Sequence, residues 1–370
     1  MEKIKICFLL SHLPQGGAER QTLNLIKNLD SNLYDITLVL YSRQEVFYKE
    51  VFDYKIKIIE RKNQYQSKII KTIDNALFLW FYLRKNNFDI LHTLMFHNGF
   101  LVRLLAPSFY NNKIIFSVRN SLESTSSFFL KFEKIFIKTS FVITNSLKSR
   151  NQYIKLVGGK YKDSILNIYN GINIPEIKEK SIHKIKIIGT VGRQTIQKNQ
   201  IQILRVLNNI RYQYKLSFFL IGDVNNNLSK SIQEYITMNE LEDIVNVMDS
   251  QNNIQDYYDK FDIFILSSIY EGCPNVLFEA MASNVLVICS SGSNSDNFIQ
   301  NGVNGFVYDG TDKDLELILT YVLKIENAFE LNEIKKAGRD FVIANFSTKV
   351  MVENYEVVYS NIMNNFQTKK

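Results

Sequence analysis

Two glutamates eight positions apart, Glu271 and Glu279, bracket the stretch of this chain best suited to chemistry. The segment reads Glu271-Gly272-Cys273-Pro274-Asn275-Val276-Leu277-Phe278-Glu279 and continues as Ala280-Met281-Ala282. It follows directly on the β-rich run 262–266. Gly272 and Pro274 set a turn, and the amphipathic run from Asn275 opens a helix whose first amides can bind phosphate. Glu271, in the loop before that helix, is placed to accept hydrogen bonds from sugar hydroxyls. Glu279, one turn in, is placed to reach ribose hydroxyls. Standing alone, the pair would read as two solvated carboxylates, one of them near a helix N-terminus.

Two further loops carry chemistry of a compatible kind. Gly192-Arg193 closes another β-rich run, and Lys198 follows five positions later. Two cations on one loop can grip adjacent phosphates of a diphosphate and neutralise a leaving nucleotide, although a plain surface loop carries the same residue types. Gly16-Gly17-Ala18-Glu19 lies between the first strand and the first helix. Its glycines let backbone amides approach an anion, or simply form a tight turn. The spacing is not the Gly-x-Gly-x-x-Gly of a dinucleotide site, which counts against a dehydrogenase.

Of four histidines, His12, His92 and His97 fall at or just beyond the ends of β-rich runs in the front half, the side on which such sheets bind ligands. His97 is the candidate for substrate contact, whereas His92 reads equally as a satisfied structural residue. Asp312 and Asp314 have the spacing of an Asp-x-Asp metal motif, but they sit at a helix start, where aspartate caps free amides. With Arg193 and Lys198 available for a diphosphate, the reading requires no metal and no cofactor.

What positions these residues is a repeated strand–helix pattern. In the front half, Ile4–Leu10, 34–41, 88–92, Ile114–Val118 and 141–144 read as buried strands, each followed by a polar loop or an amphipathic segment. Ala18, Thr22, Leu25, Ile26 and Leu29 share one helical face. The pattern restarts near residue 184, with strands at 184–191, Leu216–Ile221, 262–266 and 285–289 and a linker over 174–183. The fold class is therefore α/β, with two Rossmann-like, doubly wound parallel-sheet domains. A cleft between two such domains is a natural substrate site.

Composition narrows the class further. The chain has 370 residues, 46% hydrophobic and 22% charged, as expected of a globular protein of two domains. Three widely spaced cysteines suit a reducing compartment and have no metal-ligand spacing. No apolar run approaches the roughly 18–20 residues that span a bilayer, and Ile4–Leu10 reads as a first strand rather than a signal peptide. A cytoplasmic protein is expected. Residues 1–175 carry 25 Lys/Arg against 13 Asp/Glu, and residues 176–370 carry 19 against 24. The basic front half predicts an anionic partner. Two basic-aromatic stretches there, 61–85 with Trp80 and 126–138 with Phe128, Phe129, Phe132 and Phe136, can lie on anionic lipid, or pack as ordinary core helices.

Taken in order, these motifs resemble the retaining family-4 glycosyltransferases of GT-B architecture. The Gly-Gly loop, the Gly-Arg…Lys segment and Glu-x(7)-Glu followed by Ala-Met-Ala are shared. Tyr169-Asn170-Gly171-Ile172-Asn173, Ile221-Gly222-Asp223 and the Asn-Gly loop at 301–306 are further matches, so the likeness runs from about residue 15 to 306. The resemblance implies that Arg193 and Lys198 bind the donor diphosphate, with amides around Asn275, Val276 and Leu277 completing that site. It implies that Glu279 holds the ribose and Glu271 the donor sugar, with Gly16 and Gly17 close to the phosphate and sugar. Many family members carry a histidine in the loop after the fourth front-half strand. Here the segment is Ser117-Val118-Arg119-Asn120-Ser121, so Arg119 or Asn120 takes that place, as a group that cannot cycle a proton near neutral pH. Catalytic roles are accordingly expected of Glu271, Arg119 and His97.

The reading is thus an acceptor domain over 1–174, a donor domain over 180–345, and a helix over 346–370 that the family implies crosses back to the front. The expected activity moves a sugar from a nucleotide-sugar donor, UDP-linked by preference, to a lipid-linked glycan of capsule, O-antigen or a related polysaccharide. Contact with an anionic membrane is expected, and contact with nucleic acid is not, since no recognition module is present. The alternatives are a UDP-sugar epimerase-like enzyme of similar architecture, a nucleic-acid-binding protein, and a non-catalytic relative.

Overall fold

The computed structural model describes residues 2–13, 16–41, 51, 54–61, 67–119, 122, 125–178, 186–224, 227–251, 253–324 and 328–367. Asn120 and Ser121, and part of the expected 174–183 linker, lie outside them. The chain forms two compact units, residues 1–171 with 348–370, and residues 172–347.

The first unit contains β1 (Ile4–Leu10), α1 (Gly17–Asn28), β2 (Tyr34–Leu40), β3 (Lys57–Glu60), α2 (Lys68–Lys85), β4 (Ile90–Leu94), α3 (Phe96–Leu105), β5 (Ile114–Val118), α4 (Ser127–Phe136), β6 (Ser140–Thr144), α5 (Leu147–Val157) and β7 (Ile165–Asn167). The strands form one parallel sheet in the order β3-β2-β1-β4-β5-β6-β7. The period of two along β1 shows why helices cover both faces. Ile6, Phe8 and Leu10 enter a core with Leu25 and Ile26 of α1. Cys7 and Leu9 enter the opposite core with Leu79 and Leu83 of α2 and Leu101 of α3.

The second unit contains β8 (Lys186–Val191), α6 (Gln200–Ile210), β9 (Leu216–Ile221), α7 (Asn227–Met238), β10 (Val245–Met248), α8 (Gln255–Tyr258), β11 (Ile263–Leu266), α9 (Asn275–Ala282), β12 (Leu286–Ser290), β13 (Phe306–Tyr308), α10 (Asp312–Lys324) and α11 (Ala328–Phe346). Its sheet is again all parallel, ordered β10-β9-β8-β11-β12-β13. The last helix, α12 (Thr348–Gln367), belongs to the first unit. Its Met351, Val352, Tyr355, Val358, Tyr359 and Ile362 recur at helical spacing and join the core with α1 and β1. Each such side chain, fully buried, contributes roughly 1.5–3 kcal/mol.

Strand order reverses beside β1, between β1 and β4, in the first sheet and beside β8, between β8 and β11, in the second. Loops leaving the carboxyl ends of those strands are where doubly wound sheets hold ligands. The 88–92 strand is shifted to Ile90–Leu94, because Phe88 packs at the strand entry while His92 to Leu94 continue the pairing with β5. The short strands β3, β7, β10 and β13 were not anticipated. Each is three or four residues long, too short for an alternation to stand out from its surroundings.

Candidate active site

In the second unit the loops after β8 and β11 meet side by side. Lys198 Nζ lies 2.6 Å from Glu271 Oε1, and the pair is mostly shielded, with side chains 18% and 11% exposed. Ser268 Oγ donates to the same Oε1 at 2.7 Å. That fixes one carboxylate oxygen and leaves Oε2 with no partner among the described residues. The backbone is pinned as firmly. Ile269 N donates to Gln197 O (2.7 Å), Gln197 Nε2 to Tyr270 O (2.9 Å) and Ser267 Oγ to Lys198 O (2.8 Å). The loop after β12 adds a third wall, with Glu271 N donating to Gly292 O at 3.2 Å and Ser295 Oγ to Glu271 O at 3.0 Å.

Two glycines permit this packing. A Cβ on Gly222, at the end of β9, would lie 2.0 Å from Gly192 O, and one on Gly292 would lie 2.0 Å from Ile269 O. Only a residue without a side chain lets these strand ends approach so closely. Arg193 is exposed beside this cluster, and its guanidinium has no partner among the described residues. Next to it, Gln194 is 1% exposed, and neither side-chain amide atom has a partner among the described residues.

Glu279 lies on α9, where the Tyr258 hydroxyl stands 3.1 Å from its Oε2 and 3.3 Å from Val276 O. The helix start is narrower as a donor than expected. Asn275 N already donates to Cys273 O and Leu277 N to Pro274 O, both at 3.0 Å. Of the three amides, Val276 alone lacks a partner among the described residues, because the Pro274 turn closes tightly on itself.

In the first unit, Gly16 and Gly17 open α1 at the carboxyl end of β1. Gly17 is exposed with open space around its α-carbon, whereas Gly16 lies against the carboxylate of Glu19. Burial raises the pKa of that carboxylate. His97 is exposed on the first turn of α3, edge-on to Phe129. Before it, Met95 has a φ of 64°, a conformation uncommon for a side chain of this kind and often found at functional loops.

Arg119 is engaged within its own unit. Its guanidinium donates to Asn170 Oδ1 and to Tyr355 Oη, the latter at 2.8 Å, which ties the end of β5 to the Tyr169–Asn170 segment and to α12. His92 is fully buried, with Nδ1 3.1 Å from Tyr359 Oη and Nε2 2.9 Å from Ser117 Oγ. Burial, helped by the nearby charge of Arg119, pushes its pKa down to about 3, so the ring is neutral.

The Asp-x-Asp pair at 312–314 has protein partners of its own. Asp312 is bound by Arg205 and Gln202, and Asp314 accepts from Asp309 N at 2.8 Å. Thr311, rather than an aspartate, caps α10 by accepting from Asp314 N at 3.2 Å.

Sequence reasoning missed Ser268, Gln194, Gly292 and Tyr258. The first two were signalled by polar residues just past a strand end, a position where a buried hydrogen-bonding group is unusual without a purpose.

Comparison with known proteins bears on the family and the fold. The model of the family described as "Glycosyltransferase Family 4" matches residues 15–175, and that of "Glycosyl transferases group 1" matches residues 173–341. The chain is 25% identical to the capsular polysaccharide biosynthesis glycosyltransferase CapH of Staphylococcus aureus, over 85% of this chain and 87% of that one. It is also 25% identical to the N-acetylgalactosamine-N,N'-diacetylbacillosaminyl-diphospho-undecaprenol 4-alpha-N-acetylgalactosaminyltransferase of Campylobacter jejuni, over 78% and 81%. The crystal structure of Anabaena HepE in complex with UDP and glucose superposes with a TM-score of 0.79 at 18% identity, covering 96% of this chain and 99% of that one. These findings set the epimerase-like alternative aside. The chain is a glycosyltransferase of GT-B fold and belongs to the family-4 group of these enzymes.

Proposed function

We propose that this enzyme transfers a sugar from a UDP-sugar, with retention of configuration and without a metal, to a lipid-linked glycan during synthesis of a bacterial surface polysaccharide. The observation that carries the reading is the Lys198–Glu271–Ser268 cluster at the strand-order reversal of the second sheet, with Arg193 exposed beside it. Lys198 and Arg193 supply the two positive charges that a diphosphate leaving group needs, the service a divalent ion performs elsewhere. Asp312 and Asp314 are meanwhile committed to Arg205, Gln202 and the Asp309 amide.

Glu271 then holds the donor sugar through Oε2, and Glu279, oriented by Tyr258, holds the ribose. The Val276 amide adds one donor to the phosphates. In the first unit, Gly17 leaves room for phosphate and sugar, with Gly16 beside it against the Glu19 carboxylate, and His97 meets acceptor or donor. Arg119 contributes fixed positive charge and holds its loop in place, rather than exchanging a proton. Retention follows if the leaving phosphate takes the proton of the acceptor hydroxyl on the face it departs from. The UDP in HepE and the diphospho-undecaprenol acceptor in the name of the Campylobacter relative support the donor and acceptor classes. A lipid-linked acceptor places the enzyme at the inner face of the cytoplasmic membrane.

The test is thermal unfolding with UDP, GDP, ADP and CMP, each with and without EDTA. A ligand at ~100 times its dissociation constant stabilises by roughly 2.7 kcal/mol. We expect a rise of several degrees with UDP that EDTA leaves unchanged, followed by an α-configured product from an α-linked donor on NMR. A shift abolished by EDTA would refute metal independence, and a β-configured product would refute retention.

A further inference from the structure

The short turn from Ser268 to Glu271 is held at both ends by the loop that leaves β12. At the far end, Gly292 O accepts from Glu271 N and Ser295 Oγ donates to Glu271 O. At the near end, Ser290 Oγ and Ser293 Oγ both donate to Ser268 O, the second at 3.2 Å. The two hydroxyls also stand 2.8 Å apart, and Ser290 Oγ accepts from Ser293 N at 3.1 Å. That bond turns the Ser290 hydrogen towards the carbonyl. Ser268 and Ser293 are fully buried and Ser290 is 3% exposed.

Such a network exceeds what a strand end requires. β11 stops at Leu266, so Ser268 O, two residues on, lies beyond the ladder. One hydrogen bond satisfies a buried carbonyl, and a single hydroxyl would supply it. Two donors from different backbone positions fix its direction as well, because a fully satisfied buried network rigidifies the groups it joins. What that direction controls lies on the same residue. Ser268 Oγ donates to Glu271 Oε1 at 2.7 Å. Orientation thus passes from Ser290 and Ser293, through the backbone of Ser268 and its hydroxyl, to a carboxylate whose second oxygen faces no described partner.

We infer that Ser290 and Ser293 are positioning residues of the donor-sugar site: acting through Ser268, they aim the Glu271 carboxylate without touching substrate. The inference rests on the role proposed for Glu271 and adds the groups that set its aim.

The full chain is tested for UDP binding by titration calorimetry. The kcat and KM for UDP release are then measured with UDP-glucose, UDP-galactose, UDP-N-acetylglucosamine and UDP-N-acetylgalactosamine. Because either serine alone still bonds Ser268 O, Ser290→Ala and Ser293→Ala should each fold and lose only about threefold in kcat, the scale of one modest hydrogen bond. The double variant should lose more than the product of the two, about thirtyfold, as expected for a group misplaced by less than an ångström. Its UDP affinity, which reads Lys198 and Arg193, should not change. Ser268→Ala should lose as much as the double variant, and removing the serine pair from Ser268→Ala should lose nothing more.

A double variant whose loss is only the product of the single losses, or whose UDP affinity falls in step with kcat, would reduce the serines to a brace for the strand end and overturn the inference. A further loss on removing the pair from Ser268→Ala would do the same. Glu271→Ala distinguishes this from failure of the underlying reading. An inactive Glu271→Ala protein beside an undiminished double variant strikes the inference alone. A fully active one, or a wild type that releases UDP from none of the four donors, removes the reading of Glu271 and the inference with it.

Discussion

Lys198 Nζ and Glu271 Oε1 are 2.6 Å apart, so the residue expected to hold phosphate and the residue expected to hold sugar are joined in one shielded ion pair. The pair is a resting arrangement with a chemical consequence. On the proposed reading, a diphosphate bound by Lys198 would compete with Glu271 for the ammonium, while the bond from Ser268 would still hold the Glu271 carboxylate.

The two residues should therefore respond oppositely to truncation. Lys198→Ala removes a charge-assisted contact to phosphate and should weaken UDP binding about tenfold or more, in keeping with ~1.5–3 kcal/mol for such a bond. Glu271→Ala releases Lys198 and should leave UDP affinity equal or somewhat tighter while abolishing transfer. Titration calorimetry with UDP, beside a transfer assay, reads both. Equal loss of UDP affinity in the two variants would mean that the pair is a structural brace.

Arg119 invites a different prediction, because its partners are Asn170 and Tyr355. Tyr355→Phe should cost about 1 kcal/mol of stability for one lost hydrogen bond, and Arg119→Ala about 1–3 kcal/mol because two acceptors lose their donor. Urea unfolding measures both. If Arg119 acts by position alone, Arg119→Lys should recover part of the stability and of the transfer rate together. Recovery of stability without any transfer would instead assign the guanidinium a direct contact with substrate.

These cases show what the sequence could and could not carry. Gly192, Arg193, Lys198 and Glu271 were legible because each sits just past a run of β-branched and apolar residues, and strand ends in a doubly wound sheet converge. The partnership of Lys198 with Glu271 was not legible. It depends on β8 and β11 being neighbours, although 73 positions separate the two residues. The partners of Arg119 were hidden for a related reason. Its acceptors lie 51 and 236 positions away, so a cation in a ligand-binding loop and a cation tying that loop to a distant helix look alike in one dimension. The exposed apolar residues of α2, Ile69, Ile73, Leu77, Trp80 and Phe81, were visible only as part of a basic-aromatic stretch, because periodicity reveals an apolar face without telling which face the fold leaves outside.

A third prediction concerns the pair Arg103 and Glu133, joined by two bonds of 2.7 Å with both side chains within 1% of full burial. The Tyr153 hydroxyl also donates to Glu133, and the guanidinium stacks over the rings of Phe116 and Phe136 at 4.0 and 4.6 Å. Removing one partner strands the other charge in the core, so Arg103→Met or Glu133→Leu alone should cost roughly 3–5 kcal/mol. Replacing Arg103 by Met, Glu133 by Leu and Tyr153 by Phe together removes every polar group at once and should recover most of that loss. Urea midpoints for the single and triple variants decide the matter. A triple variant no better than the singles would show that the pair specifies the packing of α3, α4 and α5, beyond neutralising itself.

The last prediction follows from His92. In the folded chain its pKa is pushed down to about 3 by burial and by Arg119, against an ordinary value of 6.5. Between those values the unfolded chain binds a proton that the folded chain does not, so stability falls as pH drops through 6.5 and goes on falling towards 3. At pH 5 the loss from this one ring is about 2 kcal/mol relative to neutral pH. Other groups titrate in the same range, so the measurement is a difference between two proteins. His92→Gln can keep a hydrogen bond to Ser117 or Tyr359 but takes up no proton. It should be less stable than the wild type at pH 7, and the gap should shrink by about 2 kcal/mol at pH 5, because only the wild type bears the cost of a ring that its core keeps neutral. Urea unfolding of both proteins at the two pH values gives the gap directly. A gap that stayed constant would mean that His92 takes up its proton in the fold as readily as in the unfolded chain, so that at pH 5 its bonds to Tyr359 and Ser117 are those of an imidazolium.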